Sequence, residues 1–558
     1  MWWRRPSAPL TAQRAEETRP CFLEIPEIPI AMDMKKVCLL VLSVTLVFLS
    51  PILLLAGDSN LLVTIATGQL QGAAVNGGAV VVFKGIPFAA PPVDDLRWRA
   101  PQPPKAWTGV KTADTYGPSC PQKSWDRLPF TKEFVAVNET NEDCLYLNVW
   151  TPAQKPSAPL PVFVYIHGGG FGSGSGQIKI YDGANLAQAG VVVVTINYRL
   201  GALGFLASPE LAAESPHHAS GNYGLLDQVA ALRWVKDNIH AFNGDSSDVT
   251  ICGQSAGAAS VHYLVASPLA KGLFQRAIAE SGSSPAGFLV RSLAENEKRG
   301  AQFLASHKAN TLAQARALPV SELFWDGSPM DAPYGADVDG WFLTATVAEI
   351  FAAGQQNDVP TITGSNSGDP TLWYLFLPPT TLSYADKAKK DYGDLAPRYL
   401  QLYPATTPGD EKAAQDQAGQ DRTRVGTYLW AVRRDKTSKT PVFIYYFDRA
   451  TPWPGHPEFG AFHTAEVPYV FRNLKLVDHP YERVDYKVSD TISDYWVNFM
   501  KTGNPNGKGL PEWSSVSEQE QIQEIGDRTG PMPLADAAKL VFWIDYFASP
   551  ASKNAPPF

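Results

Sequence analysis

Apolar runs rich in β-branched residues constrain the fold of this chain more than any other feature. They occupy residues 160–169, 190–198, 248–255, 359–366 and 440–448. Strands that are hydrophobic along their whole length are buried on both faces, as in a parallel sheet covered by helices. Segments with helical spacing of apolar residues lie between them, at 222–242 and 489–502. This alternation predicts an α/β fold with a mostly parallel central sheet and helices on both faces.

Composition is that of a packed globular protein rather than a disordered chain. Hydrophobic residues make up 45% of the 558 residues, and charged residues make up 18%. No repeat, long charge block or Ser/Gly linker interrupts residues 60–550, so we expect a single large domain over residues 58–558. The net charge of −8, without a run of Lys and Arg, argues against a nucleic-acid partner.

The amino-terminal region has the layout of an export signal. Lys35 and Lys36 precede an apolar run over residues 37–56, as a basic segment precedes the hydrophobic part of a signal peptide. We expect residues 34–57 to be a signal peptide and the protein to be secreted or periplasmic. The alternative is an uncleaved membrane anchor, because the apolar run is also long enough to span a bilayer.

A polar, proline-containing extension over residues 1–33 precedes this signal and resembles no folded element. A translation start at Met32 or Met34 would leave the extension untranslated. We therefore expect the folded domain to begin only at residue 58.

Three cysteines follow this leader, which itself contains two. An oxidising compartment favours a disulfide between Cys120 and Cys144 that closes a surface loop. Two free thiols are the alternative. Cys252 lies inside an apolar strand, where we expect a small buried side chain rather than a reactive thiol.

Ser255 lies in the stretch VTICGQSAGAAS (249–260), between a predicted buried strand and a segment of small, helix-forming residues. A G-x-S-x-G motif is a weak signal by itself, and a polar residue between two glycines is the plain alternative. The context favours a nucleophile, because a strand-to-helix turn exposes the hydroxyl at the carboxyl edge of the sheet, where such folds bind ligands.

A glycine-rich loop, HGGGFGSGSG (167–176), follows another predicted strand. Consecutive glycines let backbone N–H groups turn toward one point, which suits donors to a developing oxyanion. A phosphate-binding loop is the alternative. The sequence has neither a G-K-[ST] ending nor a G-x-G-x-x-G helix start here, so oxyanion stabilisation is favoured.

Several longer stretches resemble the type-B carboxylesterase and cholinesterase family of α/β-hydrolases, over about residues 62–545. They are FKGIPFAAPPVDDLRWRAPQPPKAW (83–107), NEDCLYLNVWTP (141–152), HGGGF (167–171), YRLGALGFL (198–206), GNYGLLDQ (221–228), GQSAGA (253–258), SPLAKGLFQRAIAESGS (267–283) and YWVNFMKTGNPNG (495–507). The resemblance implies an α/β-hydrolase fold and esterase chemistry.

The same resemblance implies roles for particular residues. Ser255 would be the nucleophile, and His463, in the stretch FHTAEVPYVF, would be the general base. The backbone N–H groups of Gly169, Gly170 and Ala256 would form the oxyanion hole.

Two other histidines are weaker candidates for the base. His456 lies in the proline-flanked loop PGHPEF, which lacks the sequence context of the family's histidine. His262 follows Ser255 on the same predicted helix, which indicates a structural residue.

The acid departs from the family pattern, which resembles G-x-N-x-D-E-G. This sequence reads GSNSGDP over 364–370, so Asp369 stands where the family has Glu. A carboxylate one methylene shorter can still orient an imidazole, although the loop must then approach more closely. Pro370 restricts Asp369 toward extended backbone geometry. The alternative is that Asp369 is a turn residue and another carboxylate acts on the histidine.

Substrate preference is indicated by Gln254, where many relatives have Glu. An uncharged amide attracts a quaternary ammonium less than a carboxylate does. Trp125 could be an aromatic platform for choline, but packing is the favoured interpretation. Phe171 and residues 371–379 would line the acyl side of the pocket, with ordinary core packing as the alternative. We therefore expect an uncharged or non-choline ester.

Together these features predict a serine carboxylesterase that hydrolyses a small-molecule ester through an acyl-enzyme. No metal or organic cofactor is expected, because no ligand spacing for one is present. A membrane partner is expected only if residues 37–56 remain as an anchor, and the sequence specifies no oligomeric state. The alternatives are a non-catalytic adhesion relative, an acyltransferase and a lipase that acts on aggregated lipid.

Overall fold

The computed structural model of the chain describes residues 61–123, 129–136, 138–282, 290–327, 331–370 and 381–554. Contacts divide the chain into two compact units, residues 1–57 and residues 58–558, and every described residue belongs to the second. The expected signal peptide at 34–57 lies outside the described residues and stays a prediction. Within the described part, no helix has the length and apolar character needed to cross a bilayer.

Sixteen strands are present in the described residues. They are β1 (Leu62–Ile65), β2 (Gly68–Gln71), β3 (Ala73–Val75), β4 (Val80–Pro87), β5 (Val110–Thr112), β6 (Tyr146–Pro152), β7 (Leu160–Ile166), β8 (Val192–Ile196), β9 (Gly244–Gln254), β10 (Arg276–Glu280), β11 (Arg291–Ser292), β12 (Asp337–Val338), β13 (Thr361–Asn366), β14 (Val442–Phe447), β15 (Ile522–Ile525) and β16 (Thr529–Met532).

In the order of the chain, the α-helices of the described residues come mainly between one strand of the sheet and the next. They are α1 (Ala184–Gln188), α2 (Gly201–Phe205), α3 (Pro209–Glu214), α4 (Tyr223–Asn238), α5 (Ala256–Ala266), α6 (Leu293–Ser306), α7 (Leu312–Arg316), α8 (Val347–Ala352), α9 (Tyr384–Tyr392), α10 (Ala396–Leu402), α11 (Pro408–Asp435), α12 (Val467–Val470), α13 (Arg483–Thr502) and α14 (Ala537–Ala548).

A single large sheet organises the described part of the domain. Eleven strands pair in the order β16-β15-β14-β13-β10-β9-β7-β8-β6-β4-β3. The seven strands from β15 to β8 run parallel to one another, and the remaining pairings at both ends of the sheet are antiparallel. The predicted α/β fold with a mostly parallel sheet is therefore confirmed.

Alternate residues of the central strands enter two different cores. In β7, Val162 and Val164 pack into one apolar cluster, whereas Phe163 and Tyr165 pack into another. Side chains alternate between the two faces of a strand, so a strand covered on both faces must be apolar throughout. Helices α4 and α5 contribute to the first cluster, and α13 contributes to the second. This packing explains the continuous hydrophobic runs in the sequence.

Helix α13 shows how local sequence sets an element's limits. Its N-terminus carries a reciprocal cap, in which the Glu482 and Asp485 side chains each accept a hydrogen bond from the other residue's backbone N–H. It ends at Thr502, and the next residue, Gly503, has a φ of 78°, a left-handed geometry that favours glycine. The predicted helical segment at 489–502 is the carboxyl-terminal part of this helix, which begins earlier because of the cap.

A disulfide joins Cys120 to Cys144, with Cα atoms 5.0 Å apart. Both residues are buried, and the bond closes the segment between β5 and β6. Cys252 is a free, fully buried residue of β9, and burial raises the pKa of its thiol well above the ordinary value. A thiol in that state is a poor nucleophile, in agreement with a packing role.

Loss of this disulfide is expected to lower the free energy of unfolding by about 3 kcal/mol, because the bond restricts the unfolded chain. Urea unfolding of the double variant Cys120→Ser/Cys144→Ser, compared with the unchanged protein, measures the effect. A reductant should destabilise the unchanged protein to the same extent and leave the double variant unaffected. Equal stability of the two proteins without reductant would contradict the expectation.

Candidate active site

Ser255 is the single residue between the end of β9 and the start of α5. Its φ of 57° and ψ of −121° lie in a region that a residue with a side chain rarely adopts. Its N–H donates to the Glu280 carbonyl at 2.9 Å, and its own carbonyl accepts from the Ala259 N–H at 3.0 Å. The turn is therefore anchored to the neighbouring strand on one side and to the helix on the other.

Two glycines make this sharp turn possible. A Cβ atom at Gly257 would collide with the carbonyl oxygen of Ile166, at the end of β7. A Cβ atom at Gly253 would collide with the backbone of Gly257. The glycines of the G-x-S-x-G motif thus let the helix start pack directly against two strands, which is the geometry that exposes a serine at such a turn.

His463 and Asp369 lie in contact, although they are far apart in the sequence. His463 follows β14, and its Nδ1 is 2.7 Å from Oδ1 of Asp369, which follows β13. The second oxygen of Asp369 accepts a hydrogen bond from the backbone N–H of Asn366 at 2.8 Å. Both side chains are less than one tenth exposed. The carboxylate can therefore fix the imidazole and stabilise its protonated form.

The other ring nitrogen of His463 faces the turn that contains Ser255. Its Nε2 lies 3.2 Å from the side-chain amide nitrogen of Gln254, the residue before the serine. Ser255 Oγ makes no hydrogen bond with any described residue in this state. Catalytic hydrogen bonds often tighten only when substrate binds, so His463 stays the candidate base for Ser255.

The glycine loop packs against the same turn. A Cβ atom at Gly168 would lie 3.1 Å from the Ser255 Cβ, so the loop runs beside the nucleophile candidate. Gly169 and Gly170 have φ values of 101° and 61°. The Gly169 carbonyl accepts hydrogen bonds from the N–H groups of Gly172 and Ser173, both at 3.0 Å, so this carbonyl points into the glycine loop. The open space beside Gly170 leaves room for a ligand.

Three backbone N–H groups near Ser255 remain available as donors. Those of Gly169 and Gly170 have no hydrogen-bond partner among the described residues, and that of Ala256 lies in the first turn of α5, where no helical partner exists. Such donors, together with the positive end of a helix, suit an anionic oxygen.

The rival histidines lie in different environments. The His456 side chain is 37% exposed and pairs with Glu458 in its own loop at 3.1 Å. His262 is buried in α5, and burial, followed by the charge of Arg434, lowers its pKa to about 3. Neither histidine makes a hydrogen bond with Ser255 or Asp369, whereas His463 does so with Asp369, so His463 is the candidate base that the structure brings to the site. Trp125 and residues 371–379 lie outside the described residues, and their suggested roles stay predictions.

Two buried glutamates behind the site were not singled out from the sequence. Glu280 accepts a bond from Trp496 Nε1 at 2.7 Å, and Glu466 accepts one from the Asn366 side chain. Burial raises the pKa of Glu280 to about 7. Burial, followed by repulsion from Glu280 and Asp369, raises the pKa of Glu466 to about 8. Glu466 follows His463 by three residues in the stretch FHTAE, so its proximity to the candidate base could have identified it from the sequence.

Comparison with known proteins agrees with this geometry. A family model described as the Carboxylesterase family matches residues 59–543. Fumonisin B1 esterase of Sphingopyxis macrogoltabida is 37% identical over 82% of this chain and 86% of that protein. Para-nitrobenzyl esterase of Bacillus subtilis (strain 168) is 36% identical over 84% of this chain and 94% of that protein. Liver carboxylesterase of Sus scrofa is 34% identical over 86% and 90%, respectively.

The family match covers nearly all of the described domain, and the relatives align along most of their own length. The expected family and fold are therefore confirmed by comparisons that are independent of the site geometry. The chain belongs to the type-B carboxylesterase family of α/β-hydrolases, and it is a carboxylic ester hydrolase.

Proposed function

We propose that the protein hydrolyses uncharged carboxylic esters through Ser255, His463 and Asp369, with a covalent acyl-enzyme intermediate. The observation that carries the proposal is the 2.7 Å contact of Asp369 with His463 beside the sharp turn at Ser255. A serine hydroxyl is a weak nucleophile until a base accepts its proton, and the base needs an oriented ring.

In the proposed first step, Ser255 Oγ attacks the ester carbonyl carbon while His463 Nε2 accepts the hydroxyl proton. The Gln254 amide that lies near Nε2 must yield this nitrogen to the serine. The imidazolium then gives the proton to the leaving alcohol as the carbon–oxygen bond breaks. Water attacks the acyl-enzyme by the same route, which releases the acid and restores Ser255.

The tetrahedral intermediate carries a negative oxygen that needs donors. We assign this role to the N–H groups of Gly169, Gly170 and Ala256, which are free of other partners among the described residues. The loss of one such donor typically slows an enzyme by about 10²–10³-fold. The glycine loop would therefore contribute to the rate in addition to the side chains of Ser255, His463 and Asp369.

The contact between the acid and histidine loops supports Asp369 as the acid at the position where the family has a glutamate. The Gly368 N–H donates to the Ala461 carbonyl at 2.9 Å, and Gly368 forms an isolated bridge with Phe462. A Cβ atom at Gly368 would collide with Ala461, so the approach requires glycine. The two loops therefore meet immediately beside Asp369 and His463, where the shorter carboxylate is within hydrogen-bond distance of the ring.

An uncharged ester is the favoured substrate class. Gln254 is fully buried beside His463 and contributes a neutral amide instead of a carboxylate. A quaternary ammonium would therefore find less electrostatic attraction at this position. The relatives named as esterases of fumonisin B1 and para-nitrobenzyl compounds support hydrolysis of small-molecule esters other than choline esters.

The proposed catalytic triad predicts a large loss of activity when any one of its three residues is replaced. In Ser255→Ala, His463→Ala and Asp369→Asn, kcat for p-nitrophenyl butyrate should fall by about 10⁴-fold or more. His456→Ala and the exposed Asp394→Asn are matched controls that should retain normal rates. Circular dichroism establishes that each variant is folded. Near-normal activity of Asp369→Asn beside an inactive His463→Ala would assign the acid role to another carboxylate.

The raised pKa values of the two buried glutamates predict a pH-dependent stability. In the folded protein, the pKa of each of these carboxyl groups lies above the ordinary 4.5. Each group therefore makes its full contribution to the free energy of unfolding below about pH 4.5, and that contribution is lost as the pH rises through 7 to 8. Glu466→Gln keeps the shape without the charge. Relative to the unchanged protein, its free energy of unfolding should improve by about 1 kcal/mol or more between pH 5 and pH 8.

Urea titrations at pH 5, 6.5 and 8 provide this measurement. Glu512→Gln is the control, because Glu512 is exposed and should show no pH-dependent difference. A constant difference between Glu466→Gln and the unchanged protein across this range would contradict the assignment of a buried, neutral Glu466.

We further propose that residues 34–57 export the protein and are then removed, leaving residues 58–558 as one domain. The disulfide between Cys120 and Cys144 is compatible with an oxidising compartment. Expression of the full chain in a secreting host, followed by amino-terminal sequencing of the released protein, should give a start close to Asp58. An intact amino terminus in the membrane fraction would favour the anchor instead.

A further inference from the structure

The phenol of Tyr334 lies beside the glycine loop of the proposed site. Its hydroxyl is 4.0 Å from the position that a Cβ atom would have at Gly172, and 3.7 Å from the corresponding position at Gly201. Gly172 follows Gly170, one of the proposed oxyanion donors, by two residues. Gly201 is joined to the same loop, because its N–H donates to the Phe171 carbonyl at 2.7 Å. The hydroxyl therefore lies beside the glycine loop.

This hydroxyl is an available hydrogen-bond donor. It has no hydrogen-bond partner among the described residues, and the side chain is only half-buried. Burial raises the pKa of Tyr334 to about 12, so the phenol keeps its proton at neutral pH. A neutral phenol can donate one hydrogen bond to an acceptor that enters the site.

The backbone around Tyr334 is held in place from two directions. The Arg291 guanidinium donates to the Tyr334 carbonyl at 3.3 Å and to the Ala332 carbonyl at 3.5 Å. The Gly335 N–H donates to the Phe205 carbonyl at 3.3 Å. A side chain on such a supported segment can select a ligand, because its position is set before the ligand binds.

The surrounding wall is mainly aromatic. The Phe171 ring packs against Phe205, with ring centres 4.9 Å apart, and stacks on Tyr263 at 6.3 Å. Tyr334 itself packs against the apolar cluster that contains these rings and against a neighbouring cluster formed by residues of α2 and α6. An ester whose acyl and alcohol parts are otherwise hydrocarbon would need only the apolar surface. The Tyr334 hydroxyl beside this surface therefore implies that the ligand carries a further hydrogen-bond acceptor.

We propose that Tyr334 is a specificity-determining residue that donates a hydrogen bond to a second oxygen of the ester substrate. The substrate class is then an ester with a further carbonyl, ether or carboxylate oxygen a few bonds from the carbonyl that is attacked. The inference rests on the proposed function, since the glycine loop positions that carbonyl. The acceptor belongs to either the acyl or the alcohol part, and the two have the same chemistry.

Two pairs of esters with matched shape test this inference. For the acyl part, methyl 4-nitrophenyl succinate is compared with 4-nitrophenyl hexanoate. For the alcohol part, 2-methoxyethyl butyrate is compared with butyl butyrate. Each pair is measured as kcat/KM with residues 58–558 of the unchanged protein, Tyr334→Phe and Tyr486→Phe. The last variant is the matched control, because Tyr486 is exposed on α13.

The unchanged protein and Tyr486→Phe should prefer the oxygen-containing ester of at least one pair by about tenfold, the size of one neutral hydrogen bond. Tyr334→Phe should lose that preference while its rate on the hydrocarbon ester stays within about twofold. The pair that shows the effect identifies the part of the substrate that carries the acceptor.

Three other results would overturn the inference. The unchanged protein could lack a preference in both pairs, or Tyr334→Phe could retain the preference. A uniform loss on all four esters in folded Tyr334→Phe would mean a structural role for the phenol. If the unchanged protein hydrolyses none of the four esters, the proposed function itself fails, and the specificity role of Tyr334 fails with it.

Discussion

The close contact between the start of α5 and the ends of β7 and β9 is the constraint on which the site depends. Side chains at Gly253 or Gly257 would collide with the backbone, so only glycine allows this approach. The contact forces Ser255 into an unusual backbone geometry and aims the helix N-terminus at the same space. Strain of this kind costs about 1–3 kcal/mol and persists because the surrounding strands and helix hold it.

The second constraint is the contact between two loops that are distant in the sequence. The bridge between Gly368 and Phe462 brings the loop after β13 to the loop after β14, because these strands are neighbours in the sheet. Beside this contact, Asp369 lies within hydrogen-bond distance of His463, although its side chain is one methylene shorter than the glutamate of the family pattern. The buried Glu280 and Glu466 lie behind them, and burial raises the pKa of both carboxyl groups, which reduces the negative charge that they carry near the imidazole.

Much of this arrangement could be predicted because it depends on local patterns. The apolar runs predicted the parallel strands, and the G-x-S-x-G and HGGG stretches marked the turns at the carboxyl edge of the sheet. The resemblance to a family then pointed to Asp369 and His463, which the structure brings together. Glu280 and Tyr334 could not be predicted in the same way, because no periodicity or motif indicates what a side chain far along the chain will contact.

The sequence by itself determined the class of fold, the position of the sharp serine turn and the chemical groups available to the site. These follow from side-chain period, glycine spacing and residue type, all of which act over short distances along the chain. Only the tertiary structure decided that Asp369 reaches His463, that the Gln254 amide lies at its second nitrogen and that the Tyr334 hydroxyl faces the glycine loop. Those contacts depend on strand order and loop packing, which join residues separated by as many as 209 positions.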